Sequence, residues 1–320
     1  MQVVEDMLLG LSQSDPSVKY ISSGNIIART EKSQKVGLVS GGGSGHEPAH
    51  AGYVGKGLLD VAVSGNVFAS PDPMAILEGI NEANTGSGVI LLVKNYSGDI
   101  MNFQMAKELA EAQDIPVSMV VVHDDVATIE NENTTGRRGI AGTIFVHKLT
   151  GAKAELGGTL SETTAVAEKA IENIRTMGIA LSSCILPSVG KPIFNLADDE
   201  MEVGMGIHGE PGLHRTTIVQ SKDLAQLLTR KIFEDMNFDN SEVAVMINGL
   251  GATPLMELYI LYHDVHELLM EKGIKIHRSF VGNYMTSLEM AGCSLTLLKL
   301  DDELKHLLDA PCSSPALTIN

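Results

Sequence analysis

Residues 88–123 read GVILLVKNYSGDIMNFQMAKELAEAQDIPVSMVVVH. This stretch decides the fold. GVILLVK (88–94) and VSMVVVH (117–123) are apolar runs of strand length. Between them, MNFQMAKELAEAQ (101–113) repeats Met101, Met105 and Leu109 at helical spacing, with a Gly-Asp cap region before it. Strand, loop, helix, strand is the grammar of a parallel sheet flanked by helices, because the helix carries the chain back to begin a parallel neighbour.

The same grammar extends outward. KVGLVS (35–40) is a buried strand ending in glycines, and residues 60–63 with Val67 form a second short extended stretch. Residues 161–175 read as a helix with Ser161 as a candidate N-cap and Glu162 in its first turn. A strand-like run starts at Gly178, followed by the Gly/Pro-rich connection LPSVGKPIFNLADDE. VAVMI (243–247) runs as a strand into NGLGATP, 255–272 is a long helix, 275–281 and 294–299 are strands, and 301–308 is a last helix. The expectation is an α/β protein of two α/β domains, each a sheet flanked by helices, spanning 1–177 and 178–320. The order of strands in each sheet is not legible in this pattern.

The bulk numbers exclude several classes. The chain has 320 residues, 44% hydrophobic, enough for a large core. It carries 23 basic against 40 acidic side chains, net -17, a surface that repels phosphate backbones and argues against nucleic-acid binding. No basic, apolar leader opens the chain and no apolar run reaches membrane-span length, so a cytoplasmic protein is expected. Cys184, Cys293 and Cys312 are odd in number and widely spaced, which does not make a disulfide framework and fits a reducing compartment. With no Trp and 4% aromatics, ring stacking does not dominate ligand recognition.

In an open α/β sheet, ligands meet the loops after the carboxyl ends of strands. Residues 41–46, 95–99 and 248–254 all follow expected strands. GGGSGHEP (41–48) fails as a Walker A loop, since His46 stands where Lys is needed, and as a dinucleotide fingerprint, since a third glycine is missing there. It reads equally as a backbone cradle for an oxygen-rich ligand or as a tight turn with His46 as a cap. Asp99 reads as a general base or, more simply, as an N-cap. GIHGEPG (206–212) sets His208 among glycines in a loop, which favours close ligand approach, and Glu210 either orients an imidazole or is solvated. Two such histidine loops suggest one small-molecule site built from two halves. His263, Asp264, His266 and Glu267 lack zinc-ligand spacing and read as a solvated helix face, so no metal site is expected. His123, Asp124 and Asp125 read as a metal site or, more safely, a turn with a capping Asp. Arg137 and Arg138 read as an anion clamp or a salt bridge between loops.

Together, VSGGGSGHEPAHAGYVGKG, KNYSGDIMNF, GRRGIAGT, GIALSSC and GMGIHGEPG resemble, in order, the substrate-binding part of dihydroxyacetone kinases, over nearly the whole chain from about Val39 to DAPCSSPAL. The resemblance implies a covalent hemiaminal between His208 and the ketone carbon of dihydroxyacetone. It implies Asp99 as the base that takes the proton of the terminal hydroxyl, and His46 as its acid–base partner. Gly43, Ser44, Gly45 and Lys94 would complete the substrate site. It implies that no cofactor is bound by this chain, that ADP/ATP and magnesium sit on a partner nucleotide-binding kinase subunit of the phosphotransferase-system-dependent type, and that the assembly is a homodimer. The reading expects no nucleotide domain after Asn320 and a short segment usual before QVVEDML to be missing. The rival implied reading is a dihydroxyacetone-sensing coactivator of a transcription regulator. HDDVATIENENTTGRR, residues 30–35, and Glu289, where the family pattern expects Asp, are departures that would bear on which partner docks.

Overall fold

The computed structural model describes residues 2–127 and 136–320, so residues 128–135 of the divergent stretch 123–138 lie outside the described residues. The chain forms two compact units, each discontinuous in sequence. The first comprises residues 1–122, 143–172 and 306–320; the second comprises 123–142 and 173–305.

The sheet of the first unit is built from β1 (Val18–Ile21), β2 (Ile26–Arg29), β3 (Gly37–Ser44), β4 (Val61–Val67), β5 (Val89–Lys94) and β6 (Val117–Val122), in the order β1-β2-β4-β3-β5-β6. β4, β3, β5 and β6 are parallel, and β1 and β2 add an antiparallel edge. β5 is buried along its whole length, as a central parallel strand covered on both faces must be. α1 (Val3–Ser14) packs beside the antiparallel edge. α2 (Pro73–Ala83) and α3 (Ser97–Glu111) cover one face; α4 (Thr143–Glu155) and α5 (Leu160–Glu172) pack on the same strands. Val39, Val89, Leu91 and Val93 meet Ile76, Ile80, Phe103 and Ala106 in one core cluster.

Two helices depart from simple amphipathic expectation. α3 forms where the spacing places it, but Met101, Met105 and Leu109 are 62%, 49% and 37% exposed, while Phe103, Ala106 and Ala110 are buried. Both stripes have helical period. The alanine stripe wins because small side chains let the helix approach the sheet closely, with Phe103 supplying the bulk. α4 buries almost every residue, including His147 and Lys148, so it lacks the polar face by which a surface helix is read from sequence.

The second unit orders its sheet β11-β10-β7-β14-β12-β13, with β7 (Ile174–Ala180), β10 (Glu200–Val203), β11 (His214–Thr217), β12 (Glu242–Gly249), β13 (Lys275–Gly282) and β14 (Gly292–Leu300). A short hairpin, β8 (Ile185–Leu186) with β9 (Lys191–Pro192), lies in the connection after β7. Only the β12–β13 pair is parallel; the other pairings are antiparallel. α6 (Ser221–Asp235) and α7 (Leu255–Glu271) pack on it through Leu228, Ile232, Leu258, Leu261 and Val265. Both units are therefore α/β. The single boundary expected at 177/178 falls inside β7. Compactness follows packing, and the chain crosses between units more than once, with α8 (Asp302–Asp309) spanning the last crossing. The three cysteines are buried. Among the described residues, no helix is long and apolar enough to cross a membrane.

Candidate functional site

The first three glycines of GGGSGHEP are the end of a strand rather than a loop. β3 runs through Ser44 and pairs in parallel with β4: Gly41 opposite Val63, Gly42 opposite Ser64, Gly43 opposite Gly65. Backbone crowding explains most of them. A Cβ would lie 2.3 Å from the Val63 carbonyl oxygen at Gly41, 2.6 Å from the Ala69 nitrogen at Gly43, and 2.0 Å from the Ala69 carbonyl oxygen at Gly65. Gly42 differs. Its open side faces Lys94 Cε at 3.5 Å, Asp99 Oδ2 at 3.6 Å and His50 Nε2 at 3.6 Å. The glycine run thus brings bare backbone to a cluster of three ionisable side chains.

Each member of that cluster is placed by an element end. Lys94 is the last residue of β5, fully buried, with its ammonium 5.2 Å from the centre of the Tyr96 ring. Asp99 is not the N-cap of α3; Tyr96 is, and Asp99 sits inside the first turn, 3% exposed. A carboxylate there is favoured by the positive end of the helix dipole. Ser44 donates its hydroxyl to the Gly65 carbonyl at 2.8 Å. Gly45 takes φ of 102°, a backbone state that suits glycine, and its N–H donates to both Glu47 carboxylate oxygens at 3.1 Å. His46 is fully buried and stacks on Phe68 with ring centres 5.1 Å apart.

Sequence reasoning missed two residues of this region. His50 follows GHEP by two positions, and His147 lies on α4. His50 Nδ1 and His147 Nε2 are 3.0 Å apart, both rings buried. Burial, aided by the Lys94 charge, drives the His147 imidazole down to about 3. Burial, then Lys94 and His147, lowers His50 well below the usual range. The available signal was the second histidine in GHEPAH. His147 gave none, because a helix buried on all sides shows no pattern from which one residue stands out.

In the second unit, GIHGEPG is a compact turn after β10. Gly206 N–H donates to the Glu210 carbonyl at 3.0 Å and Gly209 N–H to the Gly206 carbonyl at 3.0 Å. Gly209 has φ of 79°, and a Cβ there would strike Ile193 at 2.3 Å. Ser287 ties the turn down by donating to the Ile207 carbonyl at 2.6 Å. Glu210 folds back on its own turn: it accepts from the His208 backbone N–H at 3.0 Å and lies 2.8 Å from His208 Nδ1. Burial alone would raise the Glu210 carboxyl, but the bonded imidazole and Arg138 hold it down to about 2. It is therefore an acceptor, so in the neutral form of the imidazole the ring proton sits on Nδ1, facing Glu210, and the lone pair is on Nε2. The His208 side chain is 19% exposed.

The weaker candidates resolve into structural roles. Arg138 pairs with Asp125 at 2.7 Å and donates to the Gly204 carbonyl at 2.7 Å; Arg137 pairs with Asp235. Asp124 accepts from Ile140 and Gly142 N–H groups, each at 2.8 Å. Burial pushes the Asp125 carboxyl up to about 6, with Arg138 opposing. Asn248 belongs to β12, not a ligand loop. Its side-chain oxygen accepts from Tyr284 and Met285 N–H groups at 2.8 and 2.9 Å, and its amide donates to the Met285 carbonyl at 2.8 Å. Glu289 accepts from the Ile185 N–H at 2.7 Å, holding the start of the β8–β9 hairpin. Among the described residues, no cluster of three or more His, Cys, Asp or Glu could hold a metal ion.

Residues 9–316 match the family model described as Dak1 domain. The chain is 55% identical over 305 residues to the PTS-dependent dihydroxyacetone kinase 1, dihydroxyacetone-binding subunit, of Listeria innocua serovar 6a, covering 94% of this chain and 93% of that protein. The dihydroxyacetone kinase operon co-activator has a similar structure, with TM-score 0.93, 38% identity, and coverage of 98% of this chain and 97% of the other. The native dihydroxyacetone kinase of C. freundii superposes with TM-score 0.93 at 35% identity, covering 99% of this chain and 59% of that longer one.

Proposed function

We propose, on the premise that the chain belongs to the Dak1-domain family of dihydroxyacetone kinases, that it binds dihydroxyacetone covalently on His208 and presents it for phosphorylation by a separate nucleotide-binding subunit. The observation that carries the covalent step is the His208–Glu210 pair at 2.8 Å. With its proton on Nδ1, the ring offers Nε2 to the ketone carbon. An N–C bond forms, the carbonyl π pair moves to oxygen, and the Nδ1 proton leaves toward Glu210. That proton, returned to the former carbonyl oxygen, completes a neutral hemiaminal. A carbonyl trap of this kind excludes glycerol, which has no electrophilic carbon.

Asp99 is assigned as the base for the terminal hydroxyl, with His46 in its acid–base support and Gly43, Ser44, Gly45 and Lys94 around the substrate. The burial of Asp99 and the Lys94 side chain, whose Cε borders the same glycine, support that assignment. The partner subunit would hold ADP/ATP with magnesium, and this chain would act as a homodimer in the cytoplasm. Identity favours the kinase subunit, 55% to the Listeria protein against 38% to the co-activator. The co-activator likeness supports the second reading, a dihydroxyacetone-sensing coactivator of a transcription regulator.

One reconstitution separates them. The protein is mixed with dihydroxyacetone, a nucleotide-binding kinase subunit and its phosphoryl-donor system, and dihydroxyacetone phosphate is followed while intact mass reports the adduct. The expected result is turnover that depends on this chain, and an adduct lost in His208→Ala. An adduct without turnover would transfer the assignment to the coactivator; an adduct retained by His208→Ala would remove the hemiaminal assignment.

A further inference from the structure

In the first unit, a buried imidazole nitrogen faces the open side of Gly42. His50 Nε2 lies 3.6 Å from the point a Cβ would occupy there, and among the described residues it has no hydrogen-bond partner. The same point is 3.6 Å from Asp99 Oδ2 and 3.5 Å from Lys94 Cε. The other side of the His50 ring is tied down. Nδ1 is 3.0 Å from His147 Nε2 and 3.3 Å from Ser40 Oγ. Ser40 donates its single hydroxyl proton to the Leu92 carbonyl at 2.6 Å, so toward His50 it can only accept. The ring proton of His50 is therefore on Nδ1, shared between Ser40 and His147, and Nε2 is a bare lone pair. Burial beside Lys94 and His147 keeps the ring neutral.

A buried acceptor next to a carboxylate calls for a ligand that donates. An anion would face Asp99 and find a second acceptor in His50. A hydroxyl donates to one acceptor and can accept from an ammonium. We propose that His50 is a substrate-binding residue whose Nε2 accepts a hydrogen bond from a hydroxyl of the small hydroxyketone, and that Ser40 and His147 are positioning residues that set its tautomer. This rests on the dihydroxyacetone reading and adds to it a basis for specificity. A covalent bond to a carbonyl carbon takes any small ketone, whereas a fixed hydroxyl acceptor selects hydroxylated ones, because an analogue lacking the hydroxyl leaves the acceptor unpaired.

The test uses the full chain labelled with nitrogen-15 histidine, together with His50→Ala and His50→Gln. In the free wild type, His50 should show a pyridine-type Nε2 and a pyrrole-type Nδ1, with Nε2 moving upfield when dihydroxyacetone is added. His50→Ala should bind dihydroxyacetone about tenfold more weakly and lose its preference over hydroxyacetone. His50→Gln, whose amide can reach the Nε2 position, should recover part of both. A proton on Nε2 in the free protein overturns the proposal, as does wild-type affinity in His50→Ala. If that variant fails to fold, the wild-type spectra decide alone. An adduct at His208 with an unmoved His50 signal refutes only this role for His50; no adduct in the wild type refutes the substrate reading on which it rests.

Discussion

At the scale of single residues, one geometric fact separates Asp99 from an ordinary cap. A capping aspartate stands outside the helix and gives its oxygens to the N–H groups of the first turn. Asp99 instead lies inside the first turn, with Tyr96 at the cap position, and its Oδ2 borders the open side of Gly42. Asp99→Asn keeps the shape and removes the basicity. The expected outcome is adduct formation within a few-fold of wild type and phosphorylation reduced at least about 100-fold, read from adduct mass and from dihydroxyacetone phosphate release. Normal turnover would remove Asp99 from the role of base. Asp99, His46 and His208 were all legible as candidates from residue type and glycine context. His50 and His147 were not, because their pairing joins positions far apart in the chain.

At the scale of elements, the glycine run changes meaning once it is seen as a strand. Loop glycines are chosen for φ freedom; the β3 and β4 glycines are chosen for space between backbones. Gly65→Ala would put a Cβ 2.0 Å from the Ala69 carbonyl oxygen, a backbone atom that cannot rotate aside. The expected loss is roughly 1–3 kcal/mol, read as a lower urea midpoint with an unchanged slope. A midpoint equal to wild type would show that the segment after β4 gives way freely. α3 carries the complementary lesson. Its existence followed from period, but its start at Ser97, four residues before the periodic run, and its buried face did not, since methionine and alanine stripes share that period.

At the scale of the whole molecule, buried neutral histidines link stability to pH. His147 titrates near 6.5 when unfolded and at about 3 when folded, and His50 is displaced in the same direction. The unfolded chain therefore binds more protons between those values, and stability falls as pH drops from 6.5, at up to about 1.4 kcal/mol per pH unit for each histidine. Glu210, held at about 2, adds to the loss below its unfolded value. Asp125, raised to about 6, opposes it at mildly acid pH. Urea midpoints from pH 7 to 4 should decline, and in His147→Asn the decline should be shallower. Parallel slopes in the two proteins would mean that His147 is not neutral in the fold.

By itself the sequence determined the class of the protein. Apolar runs of strand length alternating with helical period dictate α/β layers, since each face must be buried against another element. The histidine loops with their glycines marked the candidate site residues, because residue type and backbone freedom are local properties. Only the tertiary structure decided which stripe of α3 is buried, that the first sheet is mainly parallel and the second mainly antiparallel, and that the packing units interleave along the chain. It alone also joined Ser40, His50 and His147 into one hydrogen-bonded set. Those features depend on what packs against what across long separations, and a linear pattern carries no record of the partner.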